Sequence, residues 1–184
     1  TVDSFKDKDI IVSVKLDGEQ TSMYRNHIHA RSLDSDGNET RNWVKNLWSK
    51  VSQDIPEGWR ICGENMYGVH TIKYKDLDSY FFVHSIWNEI NQCLSYDETI
   101  EWCDLLDLNI VPMLYRGIFD ENKIKKLYQP YYDGNRMEGY VVRLSNKFEF
   151  RNFKNSVAKF VSGNFEIKHG HWTSRIEKNL LKKQ

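Results

Sequence analysis

The chain is poor in cysteine and proline, carries no excess of either charge, and contains no long apolar run. Its three cysteines (Cys62, Cys93, Cys103) form no C-x-x-C pair and leave an odd thiol. That excludes a disulfide framework, argues against a structural zinc site, and fits a reduced, cytoplasmic setting. Three prolines and the absence of any low-complexity linker or internal repeat leave no domain boundary, so residues 1–184 are expected to form one domain. Lys plus Arg and Asp plus Glu each number 26. A protein that holds nucleic acid by bulk charge carries a basic excess, so phosphate binding here has to come from a local patch. The densest apolar stretch, Tyr80–Val83, is a strand's length, far short of the roughly 20 residues that span a bilayer. No membrane partner is expected. The N-terminus lacks the apolar segment of a signal peptide and does not begin with Met, which leaves room for an upstream segment.

What is present is an ordinary core, 40% hydrophobic and 28% charged, patterned as alternating strands and helices. Ile10–Lys15 is apolar and β-branched, turns at Asp17-Gly18 and resumes as Thr21–Tyr24; a second turn at Arg25-Asn26 leads into His27–Arg31. Trp43, Val44, Leu47, Trp48 and Val51 follow helical spacing, predicting a helix over 39–54 that stops near Pro56-Glu57-Gly58. Trp59–Glu64 and Tyr80–Trp87 read as strands, and Ser95 with Glu98 as a capping box for a helix through Leu106. Ile110–Tyr115, Gly139–Arg143 and Val157–Val161 are further strands, and Glu121–Tyr128 a short helix. Residues 168–184 hold five cations against Glu177, and from Trp172 the pattern predicts a basic helical tail packing Ile176, Leu180 and Leu181 on the core. The class is α+β, rich in antiparallel strands.

Val14-Lys15-Leu16-Asp17-Gly18 puts a lysine at the end of an apolar strand, before a carboxylate and a glycine. A strand end is a rigid mount, and glycine lets the backbone turn tightly beside a bulky ligand. A lysine is normally protonated, and becomes a nucleophile only when burial, a neighbouring cation or a metal lowers its pKa. By itself the same segment also describes a surface lysine beside an Asp-Gly hairpin turn.

The residues that follow narrow the choice. Arg31 lies 16 positions on, in His29-Ala30-Arg31-Ser32; Glu64 lies 49 on, in Gly63-Glu64-Asn65-Met66-Tyr67-Gly68. Then come the aromatic strand Tyr80–Trp87, Glu138-Gly139-Tyr140-Val141-Val142-Arg143, and Lys159 in Val157-Ala158-Lys159-Phe160-Val161. This ordered set resembles the motifs of the covalent nucleotidyltransferase superfamily, and its Gly-Glu-Asn and His-Ala-Arg-Ser contexts are most similar to ATP-dependent RNA ligases. The resemblance runs from about residue 10 to 172.

That resemblance implies a single α+β nucleotidyltransferase (adenylyltransferase) domain, ATP-grasp-like, with antiparallel sheets flanked by helices. No C-terminal OB fold is expected, since only 25 residues follow Lys159. It implies an enzyme of RNA repair that forms a covalent lysyl-AMP, transfers AMP to an RNA 5′-phosphate and seals it to a 3′-hydroxyl, using ATP and Mg²⁺ or Mn²⁺. Lys15 and Lys159 become the catalytic residues. Val14, Lys15, Arg31, Glu64, Phe82, His84, Glu138 and Lys159 become the nucleotide contacts, and Glu138 and Glu64 the metal ligands. Arg31 would carry a fixed positive fork to phosphate or ribose, its bland alternative being a surface pair with Asp34 or Asp36. Glu64 would bind a ribose hydroxyl, or else merely cap a turn. Adenine would stack on His84, where relatives carry Phe, with Phe82 on the same strand face. Relatives commonly place Lys-x-Lys at the last motif; here Lys159 stands alone, with Arg143 as a compensating cation or a surface residue, and Asn65 and Tyr67 as possible pocket liners. The tail's His169, His171 and Trp172 could touch RNA. The expected partner is RNA with 5′-phosphate and 3′-hydroxyl ends, bound by a monomer in the cytoplasm, or the infected host's cytoplasm for a phage-encoded chain. A DNA ligase, a GTP-using capping enzyme and a nucleotide- or RNA-binding module without turnover share parts of the pattern.

Overall fold

In a computed structural model the chain is described over residues 2–30, 39–163 and 177–183. β1 (Asp9–Val14) shows how the core is partitioned. Successive side chains of a strand alternate between faces, so Ile10, Val12 and Val14 sink together with Phe5, Met137, Tyr140 and Val142 into one apolar cluster. Ser13, and Lys15 beyond the strand end, face the other way, into a cavity. β2 (Glu19–Tyr24) and β3 (Ile28–Ala30) follow as a hairpin, then α1 (Glu39–Val51), β4 (Arg60–Asn65), β5 (Phe81–Trp87) and β6 (Gln92–Cys93). α2 (Tyr96–Leu106) opens with the expected capping box: the Ser95 hydroxyl accepts from the Glu98 N–H while the Glu98 carboxylate accepts from the Ser95 N–H. The chain continues through β7 (Asn109–Ile110), β8 (Met113–Ile118), α3 (Glu121–Lys125), the small ribbon β9 (Tyr131–Tyr132) and β10 (Asn135–Arg136), β11 (Gly139–Leu144), β12 (Phe148–Glu149), α4 (Phe153–Ser156) and β13 (Val157–Val161).

Two sheets result. The smaller runs β13-β11-β1-β8, all antiparallel. The larger runs β12-β6-β5-β4-β2-β3, with β7 added parallel to β5. α1 and α2 cover the outer face of the larger sheet, where Val44, Val51, Cys103 and Leu106 pack on Met23, Ile61, Phe81, Val83 and Ile86. Ile124 of α3 joins the cluster on the outer face of the smaller sheet. The inner faces look at one another across the cavity. All three cysteines are buried free thiols, and no helix among the described residues is long and apolar enough to cross a membrane.

The elements depart from expectation in three places. Ile110–Tyr115 is not one strand, because the chain changes sheets at Val111-Pro112: the Val111 N–H bonds Val83 O while Pro112 O accepts from the Val14 N–H. Proline, with no N–H to give, ends one ladder and leaves its carbonyl to start the next. The helix after Asp120 stops at Lys125 rather than Tyr128. The third departure is the tail. Its part at 164–176, with His169, His171 and Trp172, lies outside the described residues, as does Arg31. Residues 177–183 are extended, not helical, with bridges from Lys178 to Gly68 and from Leu181 to Leu77. Leu180 and Leu181 are exposed; the buried residue is Asn179.

The reason is hydrogen-bond demand. The irregular segment 66–80 carries backbone groups that a helix packed on it could not satisfy. Asn179 accepts from the Tyr74 N–H at 2.7 Å, donates Nδ2 to Met66 O at 2.7 Å, gives its own N–H to Tyr67 O and accepts the Tyr80 hydroxyl at 2.6 Å. Asn179→Ala strands several of these buried groups, each worth about 1–3 kcal/mol when left unmade. The expected result is a lower urea midpoint at unchanged slope, a loss of at least about 2 kcal/mol. A loss below about 0.5 kcal/mol would show that water replaces the amide.

Candidate active site

Lys15 is fixed from its backbone outward. Its N–H bonds Gly139 O at 3.0 Å, tying the end of β1 to the start of β11. At Gly139 a Cβ would lie 1.8 Å from Phe160 O, so only glycine lets β13 close against β11 there. This close approach sets Glu138 beside the end of β1, and the Lys15 Nζ meets Glu138 Oε1 at 2.6 Å. The carboxylate side chain is 7% exposed and the lysine 24%. With water largely excluded the pair is strengthened, and separating it leaves a buried charge uncompensated.

Gly18 makes the second close approach, since a Cβ there would lie 2.5 Å from Asn65 O. The turn is thereby pressed onto β4, and the Gly18 N–H donates to Glu64 Oε1 at 3.3 Å. Burial pushes the Glu64 carboxyl up to about 7, against the pull of the Gly18 N–H and Lys15; Asp17 and Glu138 push the same way as burial. Asp17 itself is a clamp. Its Oδ2 accepts the N–H groups of Thr71 and Ile72, both at 2.8 Å, and its N–H donates to the Tyr74 hydroxyl. Asn65 and Tyr67 also serve the chain rather than the cavity: the Asn65 amide bonds Thr40 O and accepts the Tyr67 N–H, and Tyr67 packs against the Tyr80 ring.

The cavity between the sheets holds about 900 Å³. Its walls are read in three levels, each two residues further along the strands, or roughly 6–7 Å. Lys15, Glu138 and Glu64 form the first. Ser13, Val141 and Lys159, neighbours in register across β1, β11 and β13, face Cys62, His84 and Ser85 at the second. Arg143 and Val157 face Arg60, Trp87 and the aromatic run Phe148, Phe150 and Phe153 at the third. Val14 borders the cavity, but its side chain belongs to the apolar cluster behind the sheet.

His84 reaches the cavity through a bulge. Pairing of β4 with β5 slips between Cys62↔Ser85 and Gly63↔Val83, leaving His84 as the extra residue. Burial, with Arg143 nearby, pushes its pKa down to about 4, so the ring is neutral at pH 7, and its Nδ1 lies 3.0 Å from the Ser85 hydroxyl. Phe82 does not join it. The bulge interrupts the two-residue alternation, and Phe82 is buried in a core cluster with Met66, Ile72, Tyr74 and Val111 and does not line the cavity. Arg143 is not a surface residue either. It is buried, its Nε donates to Leu144 O and its Nη2 to Leu94 O, both at 2.8 Å, while Nη1 has no partner among the described residues.

The structure therefore brings Lys15, Glu64, His84, Glu138 and Lys159 to one cavity from five separate segments. It adds Ser85, Arg60, Trp87, Phe148, Phe150 and Phe153, which the sequence reading missed. The signal for the last three was the interleaved Phe148-Glu149-Phe150-Arg151-Asn152-Phe153-Lys154 run. Among the described residues no three His, Cys, Asp or Glu side chains cluster as a self-contained metal site. Glu64 and Glu138 fit the other mode, in which a hard cation takes one or two carboxylates together with ligand phosphates and water.

The RNA ligase family profile matches residues 8–161, from β1 through β13. Among solved structures, the chain is similar to an RNA ligase of Naegleria gruberi with pyrophosphate (19% identity, TM-score 0.64, covering 91% of this chain and 53% of that one). A variant of that ligase with ATP and Mn gives 17% identity and TM-score 0.64 over 88% of this chain and 52% of that one. A candidate ATP-dependent DNA ligase from Aquifex aeolicus gives 20% and 0.57 over 88% and 46%. No curated protein matches. At these identities the structural likeness shows the fold alone, and the chain spans about half the length of the solved ligases. The family rests instead on the profile, which takes in most of the chain: this protein belongs to the RNA ligase family.

Proposed function

We propose that the chain is the nucleotidyltransferase unit of an ATP-dependent RNA ligase, with Lys15 as the residue that becomes adenylylated. The observation that carries this reading is the 2.6 Å pair between Lys15 and Glu138 at the mouth of a cavity whose opposite wall presents Glu64. In the nucleotide-free protein Glu138 holds the Lys15 side chain. Reaction requires that hold to loosen. Nζ gives up a proton and its lone pair forms a P–N bond to the α-phosphorus of ATP; the bond from that phosphorus to the bridging oxygen breaks, and pyrophosphate leaves with the electrons. An oxygen of an RNA 5′-phosphate next attacks the adenylate phosphorus and the P–N bond breaks. Finally a 3′-hydroxyl loses its proton, attacks the 5′-phosphate phosphorus and expels AMP.

Each residue has a task in that sequence. Lys159, one strand over from Val141, supplies positive charge to the phosphate. Glu64 accepts from a ribose hydroxyl, and the His84 ring lies against adenine. Glu138 and Glu64 would hold Mg²⁺ or Mn²⁺, which when bound neutralises phosphate charge and steadies the leaving group. Arg31 is assigned to phosphate on its motif alone.

Three outcomes check the reading. With labelled ATP and Mn²⁺, the protein should acquire label that survives denaturation but is released by acid. Lys15→Ala should abolish it and Glu138→Gln reduce it at least about a hundredfold, the scale of losing one electrostatic contact to a phosphoryl transition state; label persisting in Lys15→Ala would sink the assignment. Equal labelling by GTP would favour a capping enzyme. His84→Phe should tighten ATP about two- to tenfold, the scale of a better aromatic stack, measured by titration calorimetry.

The third concerns pH. A carboxyl raised from 4.5 to about 7 on folding favours the protonated native state. Its ionisation therefore costs stability as pH climbs from about 4.5 to 7, by an amount on the order of 3 kcal/mol. Urea midpoints in chelator should fall across that window in the wild type. Glu64→Gln should flatten the fall and be the more stable protein at pH 8; parallel curves for the two proteins would show that Glu64 ionises freely.

A further inference from the structure

The third level of the cavity has no task in the chemistry above. If a nucleotide joined to Lys15 places its base against His84, it fills the first two levels. The Arg143 level lies two further two-residue steps from Lys15, roughly 13 Å. What is built there is unlike the carboxylate end. The Arg60 guanidinium stacks 4.7 Å from the Trp87 ring centre and 6.0 Å from that of Phe150. Trp87 also meets Phe148, Phe150 and Phe153 at 5.7, 5.6 and 6.3 Å between ring centres. Trp87 is buried, yet Phe150 is 53% exposed and Phe153 42%. Two phenylalanines stand in water at the rim because the short turns at 150–156 present them outward, and the side chains between and beside them are Arg151 and Lys154, both exposed. Arg151 pairs with Glu149; Lys154 makes no ion pair among those found in the described residues. Behind the rim sits Arg143, a buried guanidinium whose Nη1 has no partner among the described residues and which lies 5.4 Å from the Phe148 ring centre.

We propose that Phe150 and Phe153, backed by Trp87 and Arg60, form a stacking platform for an unpaired base of the RNA substrate, with Arg151 and Lys154 beside its phosphates. This rests on the RNA-ligase reading and names its substrate class: ends with an unpaired nucleotide next to the junction, in preference to a fully paired nick. The chemistry selects single-stranded nucleic acid. Every base has a π-face, arginine and aromatic rings stack on it without regard to sequence, and a duplex offers no free face to them. Cations at the rim match a phosphate backbone, and the same cavity holds the candidate nucleophile at its other end.

The experiment uses a 5′-phosphorylated single-stranded RNA carrying 2-aminopurine near its phosphate end, titrated with the whole chain in Mg²⁺ without ATP. Stacking quenches that fluorophore. The wild type should quench it; Phe150→Ala/Phe153→Ala should not, and should bind about fivefold or more weakly, the scale of one lost base stack. Replacing the fluorescent base by an abasic nucleotide should weaken the wild type by the same factor and leave the double variant unaffected. Phe150→Trp/Phe153→Trp should restore quenching, which separates stacking from misfolding. The proposal is overturned if the double variant binds within about twofold of wild type, if the abasic penalty is equal in both proteins, or if a fully paired nick suffers as much. It is overturned also if sedimentation shows wild-type dimers that the double variant cannot form while RNA binding is unchanged. Labelling by ATP runs alongside. Loss of label with RNA binding intact assigns the rim to the nucleotide and overturns the platform, whereas a wild type that binds RNA but never labels defeats the ligase reading and leaves the platform standing.

Discussion

Everything in the cavity is arranged around one contact, the pairing of Lys15 with the largely buried carboxylate of Glu138 at 2.6 Å. The protein anchors both partners through their backbone. The Lys15 N–H is bound to Gly139 O, the Glu138 carbonyl accepts the Ser162 N–H, and Gly139 is pinned against Phe160 with no room for a side chain. A pair so constrained is costly to break, because separating it leaves a buried carboxylate without its partner.

The opposite wall repeats the logic in weaker form. Glu64, pushed up to about 7 by burial, is poised between a neutral carboxylic acid and a carboxylate at physiological pH. The neutral form limits repulsion with Glu138 and Asp17. Asp17 is excluded from this exchange because the N–H groups of Thr71 and Ile72 consume one of its oxygens. The motif aspartate thus acts on the loop, while the two glutamates act on the site. The loop it clamps is the same 66–80 segment that Asn179 secures from the other side, so a residue near the end of the chain and one near its beginning hold one piece of wall.

Much of this was legible in the sequence, and for a common physical reason. The apolar, β-branched run from Ile10, helical spacing from Trp43 to Val51 and the Ser95–Glu98 cap are local patterns, and the structure keeps all three. Lys15, Glu64, Glu138 and Lys159 were singled out by the resemblance of their ordered motifs to RNA ligases, and all four line the cavity. The failures were non-local. Phe82 was expected at the cavity by counting two residues from His84, and the count fails because β5 carries one residue more than β4 at that point. Arg143 was open between a compensating cation and a surface residue, since nothing in its own strand announces that Leu94 and Leu144 will offer it carbonyls. The tail's leucines suggested a packed helix, but the unmet backbone groups of a segment a hundred residues earlier captured Asn179 instead.

The bulge at His84 links the last of these points to chemistry. A regular strand would turn either residue 84 or residue 85 toward the cavity, not both; the extra residue lets the imidazole and the Ser85 hydroxyl line it together. The hydroxyl fixes the ring through Nδ1 and also accepts the Trp87 indole N–H at 3.1 Å, so the neutral ring of the second level and the aromatic rim of the third are joined through one serine. Burial holds that ring uncharged: a protonated imidazole would add a further positive charge near Arg143 and would have to be solvated. What histidine has that a phenylalanine would lack is the tie to Ser85, and through it to Trp87.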